Sequence, residues 1–257
     1  MSELRPEEEH ALHVRKVHSL RTLKWLARGW DDFMDAPLIG LAHGTAMAAF
    51  GGLLLWLAWD KFWVLAGAFS AFLLVAPILA TGLYAASREL SHDRAPDFGT
   101  VWKVWASLDG RLVRLGLLLG GLGLAWVLAS AALITLGVKP PVTTPTDFLH
   151  RVVLAREPGV FEIWLIMGGI MSAPVLATGL VAIPLLVDRK VSVHKAVYTS
   201  FRSVMANPIC TSLWGAIVMS LCLLGLGTLM FGLILVIPVL GHATWHAYRD
   251  LVVREVR

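Results

Sequence analysis

Six stretches of this chain stay apolar for about twenty residues each, and that pattern leaves few folds open other than a bundle of membrane-crossing helices. A spanning helix needs roughly 20 mostly apolar residues to cross about 30 Å of hydrocarbon. The runs that qualify are approximately 37–59, 62–87, 113–136, 160–187, 208–225 and 227–248. Only Asp60 and Lys61 separate the first two, which predicts a tight helical hairpin. Read as one helix, 208–248 would extend roughly 60 Å at 1.5 Å per residue, twice the hydrocarbon thickness. Two spans are therefore predicted, reversing at Leu224-Gly225-Leu226-Gly227, where the glycines allow a sharp turn. Composition agrees. Charged residues make up 16% of the chain, against roughly 25% in average soluble domains, and mean hydropathy is +0.70.

The net charge of +4 does not point to nucleic acid, because the basic residues lie between apolar runs instead of forming one stripe. Their distribution sets an orientation instead. Of the 22 Lys and Arg residues, eighteen flank one set of span ends, and only Lys61, Lys139, Arg151 and Arg156 flank the other. By the positive-inside rule both termini are expected in the cytoplasm. Trp56, Trp59, Trp63 and Trp164 would then mark the outer interface, and Trp25, Trp30, Trp102, Trp105 and Trp245 the inner one. Cys210 and Cys222 sit inside apolar runs and read as small core hydrophobes. Residues 1–36 are polar, with no leading apolar segment, so insertion is expected to be directed by the first span. The expected organisation is a cytoplasmic segment 1–36, a six-helix transmembrane domain 37–250 and a tail 251–257.

Three segments at the basic end are amphipathic rather than spanning. In 17–34, Val17, Leu20, Leu23, Leu26, Trp30 and Phe33 recur at helical spacing, with Arg21, Lys24 and Arg28 between them. Segments 98–108 and 192–206 are shorter versions. Such helices either lie in the headgroup plane, favouring anionic lipid, or pack against the bundle's inner face.

These segments also line up as an internal repeat. With Pro37, Asp109 and Pro208 in one column, Trp30, Trp102 and Phe201 stand seven residues earlier and Gly44, Gly116 and Gly215 seven later. With Pro77, Pro174 and Pro238 in a second column, Leu79, Leu176 and Leu240 follow by two. Residues 77–83 and 174–180 read Pro-Ile-Leu-Ala-Thr-Gly-Leu and Pro-Val-Leu-Ala-Thr-Gly-Leu. The unit is an amphipathic helix, an outward span and an inward span. Since each unit starts on the same side, parallel repeats about an axis along the membrane normal are expected. Each even-span proline removes a backbone hydrogen bond to the residue four before it. Small residues beyond it, Gly82 and Gly179 among them, let another helix approach.

The run Leu23-Lys24-Trp25-Leu26-Ala27-Arg28-Gly29-Trp30-Asp31-Asp32, with Ala36-Pro37, resembles the DUF2189 group of bacterial integral membrane proteins. So does Pro77-Ile78-Leu79-Ala80-Thr81-Gly82-Leu83-Tyr84 with Ser87-Arg88-Glu89. The resemblance implies a bacterial inner-membrane protein and brings no established activity. Members are sometimes labelled cytochrome c oxidase subunit I-like, a label that needs several intramembrane histidines. Within the spans this chain has His43, His242 and His246.

Candidate site residues are few. His242 and His246, four apart on one helix face, could bind a metal or haem, but His-Ala-Thr-Trp-His lacks the glutamate that zinc proteases carry after the first histidine. Four residues after each even-span proline stand Thr81, Thr178 and His242, and His43 lies six after Pro37. At one depth in repeated spans, such residues could line an inward ligand or ion path. Alternatively each Thr hydroxyl bonds a carbonyl one turn back and eases the proline bend. Asp31, Asp32 and Asp35 suit either a cation site or a helix N-terminus at a wet interface. The loop 137–159 reads as a surface lid or partner contact. Asp and Glu occur only at span ends and in loops, and no nucleotide or hydrolase motif is present. The reading is a non-enzymatic scaffold, assembly or accessory subunit, with a small transporter or channel component as the alternative. No cofactor and no resident metal are expected. Expected partners are anionic lipid headgroups at the cytoplasmic face, and a membrane protein or a second copy of the chain.

Overall fold

A computed structural model describes residues 12–58, 63, 79–107, 109–155 and 159–253. Among them every regular element is helical: α1 Arg21–Asp35, α2 Pro37–Ala58, α3 Thr81–Leu90, α4 Phe98–Ala106, α5 Gly110–Gly137, the short α6 Pro145–Phe148 followed by a π turn Leu149–Val153, α7 Val160–Asp188, α8 Val193–Ala206, α9 Pro208–Gly227 and α10 Leu233–Leu251. Four are long and apolar enough to cross a membrane: α2 over Pro37–Leu57, α5, α7 and α9. These correspond to the first, third, fourth and fifth apolar runs. The second run lies largely outside the described residues, Pro77 with it, and α3 is its basic-end portion. α10 falls below the same standard of apolar length because His242, His246, Arg249 and Asp250 share its 19 residues.

The last hairpin corrects the sequence reading in its turn. α9 runs through Gly227, and the reversal occupies 228–232, with positive φ at Leu229 (51°) and Met230 (70°) rather than at a glycine. Thr228 builds that turn: its Oγ1 donates to the Gly225 carbonyl at 2.8 Å and accepts from the Gly232 amide at 2.8 Å. The glycines serve close approach instead. A Cβ on Gly225 would fall 2.6 Å from Leu233 Cδ2, and one on Gly232 would fall 2.9 Å from Gly225 Cα.

The main core lies toward the basic end, around Trp25, Trp214, Trp245, Tyr248 and the run Leu180–Leu186 of α7. There α3, α7 and α10 pack on one another. Each amphipathic helix rests on one of these three: α4 on α3, α8 on α7, and α1 on α10. The last pair joins the start of the described chain to its end. Extended residues 12–18 run beside 251–253 through a Val14–Val252 bridge, with the Arg15 amide donating to the Leu251 carbonyl at 2.8 Å. Asn207 fastens this strap: its Oδ1 accepts from the Val17 amide at 2.7 Å, and its Nδ2 donates to the carbonyls of Arg15 and Ser203 at 3.0 Å.

Residues 137–155 fold as a unit rather than a plain loop. Ile134, Val138, Val142 and Val152 form a small core, with Phe148, Phe161 and Trp164 packed against it. Asp147 Oδ2 accepts from the amides of Thr143 and Thr144, and Arg151 pairs with the same carboxylate at 3.0 Å. Those hydrogen bonds, the Thr143 hydroxyl first, hold the Asp147 carboxyl down at about 2.

Candidate functional site: three surface helices and a buried histidine–aspartate cluster

The amphipathic helices have two apolar faces, one packed and one bare. On α1, Thr22, Trp25, Gly29 and Phe33 are buried at spacings of three and four, the period that puts them on one face. Leu23, Trp30 and Met34 form a second stripe and are exposed, with exposed Lys24 and Arg28 between the stripes. On α4, Val101 is buried while Phe98, Trp102 (68% exposed) and Trp105 face out beside Lys103. On α8, Ala196, Thr199, Ser200 and Ser203 are buried; Tyr198, Phe201 and Met205 (75% exposed) face out, with Arg202 over the Tyr198 ring. Docking on the bundle and lying in a headgroup plane, alternatives in the sequence, are thus compatible faces of the same helices. Trp25 and Trp245, expected in the interfacial belt, are fully buried instead.

α1 is held most closely. A Cβ on Gly29 would lie 2.6 Å from the Ala243 amide nitrogen and the Val239 carbonyl oxygen of α10. Trp25 stacks edge-on against Trp214 and donates its indole N–H to Asp250 at 2.9 Å. Arg21 and Arg28 flank the same carboxylate at 3.5 and 3.7 Å. A buried carboxylate needs such partners, because an unpaired one costs several kcal/mol, on the order of 3–5 when a partner is removed.

A second polar knot lies where the last turn of α1 meets α3 and α10. Ser87 donates its hydroxyl proton to Asp32 Oδ2 at 2.5 Å. The serine has only that proton, so its contact with His242 Nδ1 at 2.7 Å is one in which the imidazole N–H donates. His246 donates Nε2–H to Asp32 Oδ2 at 3.0 Å. With Nδ1 protonated, His242 Nε2 is a bare acceptor, and it is buried without a partner. His43 repeats the arrangement: its Nδ1–H is given to the Ile39 carbonyl at 2.8 Å, leaving a bare, buried Nε2. Asp32 corrects the sequence reading, since it ends a helix rather than beginning one, and its side chain turns inward.

The chemistry open to this knot is narrow. Serine, histidine and aspartate meet, but not as an acyl-transfer triad, in which histidine takes the serine proton and aspartate orients histidine. Here the proton of Ser87 is committed to Asp32, and both Ser87 and His242 are wholly buried. Among the described residues no group of three or more His, Cys, Asp or Glu has the geometry to hold a metal ion. What remains is to hold or accept a proton and to tie α1 to the bundle.

The other residues singled out in the sequence divide. Thr81 and Thr178 are buried. Gly82 is a close-approach glycine: a Cβ there would fall 2.6 Å from His43 Nε2 and 2.8 Å from Val101 Cγ1. Gly179 is not, since the only neighbour of its Cβ would be Ile183 Cδ1 at 3.7 Å. Pro174 and Pro238 lie inside α7 and α10. Pro238 cannot bond the Ile234 carbonyl, and that oxygen stands where a Cβ of Gly44 in α2 would go. The proline frees an acceptor and the glycine lets a neighbouring backbone fill the space. An apolar cleft of about 590 Å³ opens beside His43, walled by Met47, Leu79, Phe98, Trp102 and Trp105.

Two other carboxylates at the basic end, Glu89 and Asp109, are paired with arginine. Arg94 on Glu89 and Arg111 on Asp109 (2.6 Å) each hold the acid below its ordinary range. Ser87 and Asn207 are the functional-looking residues that sequence reasoning passed over, and Asp32 was weighed there only for a cation site or a helix N-terminus. The signal available was Ser87-Arg88-Glu89, which entered the sequence reading only through the family resemblance.

The family model described as "Predicted integral membrane protein (DUF2189)" matches residues 64–188. The match covers the 77–89 stretch on which the resemblance was drawn and stops short of the 23–37 stretch. No curated protein and no solved structure matches the chain.

Proposed function

We propose, for a chain that carries DUF2189 sequence over residues 64–188, a non-enzymatic scaffold of the bacterial inner membrane that grips the cytoplasmic leaflet through three in-plane helices. The observation that carries this reading is the bare apolar stripe on each of α1, α4 and α8, bordered by lysine or arginine. A stripe of that kind beside basic side chains matches the headgroup–acyl boundary of an anionic leaflet. The charge asymmetry of the loops supports both termini being cytoplasmic.

Six spans in three parallel repeats fit the same picture. α4 rests on α3, α8 on α7 and α1 on α10, so each amphipathic helix docks on the inward span of the preceding unit and the first closes on the last. Residues in one repeat column make these contacts. Gly29 meets Ala243, Val101 meets Gly82, and Ser200 Oγ accepts from the Val181 amide at 3.1 Å.

Nanodiscs with shallow-brominated lipids test the reading. Comparison with Trp30→Phe and Trp102→Phe should show these two indoles quenched strongly by brominated lipid and weakly by aqueous iodide. The reverse order would put the stripes in water and remove the leaflet-gripping role.

A further inference from the structure

Six carboxylates among the described residues form ion pairs, and five have arginine partners: Asp250 with Arg21 and Arg28, Glu89 with Arg88 and Arg94, Asp109 with Arg111, Asp147 with Arg151, and Asp188 with Arg189. Asp32 has only histidines, His246 at 3.0 Å and His242 at 3.9 Å. An arginine pair is charge-balanced at every physiological pH, whereas a histidine pair is balanced only when an imidazole holds an extra proton. With both imidazoles neutral the knot carries the full charge of Asp32, placed in the last turn of α1, where the carbonyl ends of the helix are already negative.

From this geometry we infer that Asp32 and His246 form a binding site for one proton, drawn from the aqueous phase at the basic end and coupled to the docking of α1. The proton adds to His246 Nδ1, whose ring already gives Nε2–H to Asp32; the product is an imidazolium facing a carboxylate, and no bond other than N–H forms. Side-chain exposures of 16% for His246 and 13% for Asp32 leave the site within reach of water. Ser87 and His242, both fully buried, are positioning residues: the serine O–H fixes Asp32 Oδ2, and His242 Nδ1–H holds the serine oxygen.

No other charged group on the packed elements takes over this role. On α1, Arg21 and Arg28 are turned to Asp250, and Asp31 and Asp35 are exposed. On α3, Arg88 donates to the Val187 carbonyl and pairs with Glu89. On α10, Arg249 lies over Trp245 and beside Ser91. From α2, His43 stands against Gly82 with its Nδ1–H on Ile39. The linkage sign follows: the bound proton favours the docked state, so its contribution is present at low pH and lost as pH rises through the site's midpoint.

Full-length protein with 15N-labelled histidine, in phosphatidylcholine–phosphatidylglycerol nanodiscs, reports the site by side-chain NMR, with His246→Gln and His242→Gln assigning the two rings. Expected are an Nδ1–H tautomer for His242 and proton uptake by His246 within the range where imidazoles titrate, about pH 5–8. Asp32→Asn should lower the His246 midpoint by at least about one pH unit, a tenfold loss of proton affinity. An unchanged midpoint in Asp32→Asn, or no uptake by His246 above about pH 5, overturns the inference. Melting adds a second readout that does not need Asp32→Asn to fold. Wild type should melt higher at pH 6 than at pH 8, and His246→Gln should lose that difference; a difference retained in full would sink the proton site.

Discussion

Replacing Gly29 with alanine tests whether α1 is held by close backbone contact, and the outcome can be sized from the structure. The added Cβ would sit 2.6 Å from two backbone atoms of α10, the Ala243 nitrogen and the Val239 oxygen. Neither belongs to a side chain that can turn aside. To reach the 3.4 Å of ordinary contact, the helices must part by about 0.8 Å. Parting stretches the Trp25–Asp250 bond and loosens the Trp25–Trp214 contact. Overpacking of this kind costs about 1–3 kcal/mol, offset by about 1 kcal/mol because alanine favours helix over glycine. Gly179→Ala is the matched control. Its Cβ meets only Ile183 Cδ1 at 3.7 Å, so it keeps the helix gain of about 1 kcal/mol without the clash. The two variants should differ by about 1–3 kcal/mol. At about 2–4 °C per kcal/mol for chains of 150–250 residues, that is a gap of roughly 2–12 °C in Tm. Both can be melted in one detergent and followed by size-exclusion recovery after heating. Equal melting of the two, or a lower Tm for Gly179→Ala, would refute the reasoning about close approach.

Three further outcomes follow from named contacts. Asn207→Ala removes two hydrogen bonds to the strap and a third to Ser203 of α8, a loss of about 1–3 kcal/mol where the partners stay buried, and should speed trypsin cleavage at Arg15 and Lys16 while α9 remains protected. The Asp147 carboxyl is held down at about 2, so its contribution to the 137–155 fold is present above its ordinary range near 3.8 and lost as pH falls through about 2. Pepsin cleavage near Phe148 should accordingly rise between pH 4 and 2 relative to a free peptide, and Asp147→Asn should show the faster rate already at pH 4. Thr81→Val and Thr178→Val should fold and complement a deletion strain like wild type; folded variants that fail to complement would favour the transporter reading over the scaffold.

The spanning helices are legible because bilayer thickness imposes a length that composition alone reveals, as in 113–136 and 160–187. The double faces of α1 and α8 are half legible. Period 3.6 exposes an apolar stripe, but Trp25 and Trp30 look alike in sequence, and only tertiary packing sends one into the core and the other outward. Gly82 and Gly179 occupy the same repeat column, yet what each glycine meets depends on the neighbouring helix: His43 and Val101 in one case, little in the other. Asp32 is illegible for a related reason. A carboxylate just before a span is ordinary, and its partners lie 55 and 214 residues away on helices whose placement no local rule gives. Sequence places the last hairpin turn at Gly225 and Gly227, because glycine is the usual residue at positive φ, but it falls at 228–232, where Thr228 bonds both sides of the turn with one hydroxyl.

The closure of α1 on α10 has a consequence for the order of synthesis. α1 is translated before α2, α5, α7 and α9, yet the groove that receives Trp25 and Gly29 is completed only when residues 239–250 leave the ribosome. While the roughly two hundred residues between them are made, the helix must wait, with its inward stripe uncovered as well as its outward one. A leaflet surface is a fitting place to wait, since it accepts both stripes at once and keeps them from other chains. A nascent chain halted before α10 would therefore carry an orphaned helix with four buried-face residues on display, a distinctive mark by which quality control could tell an unfinished copy from a finished one.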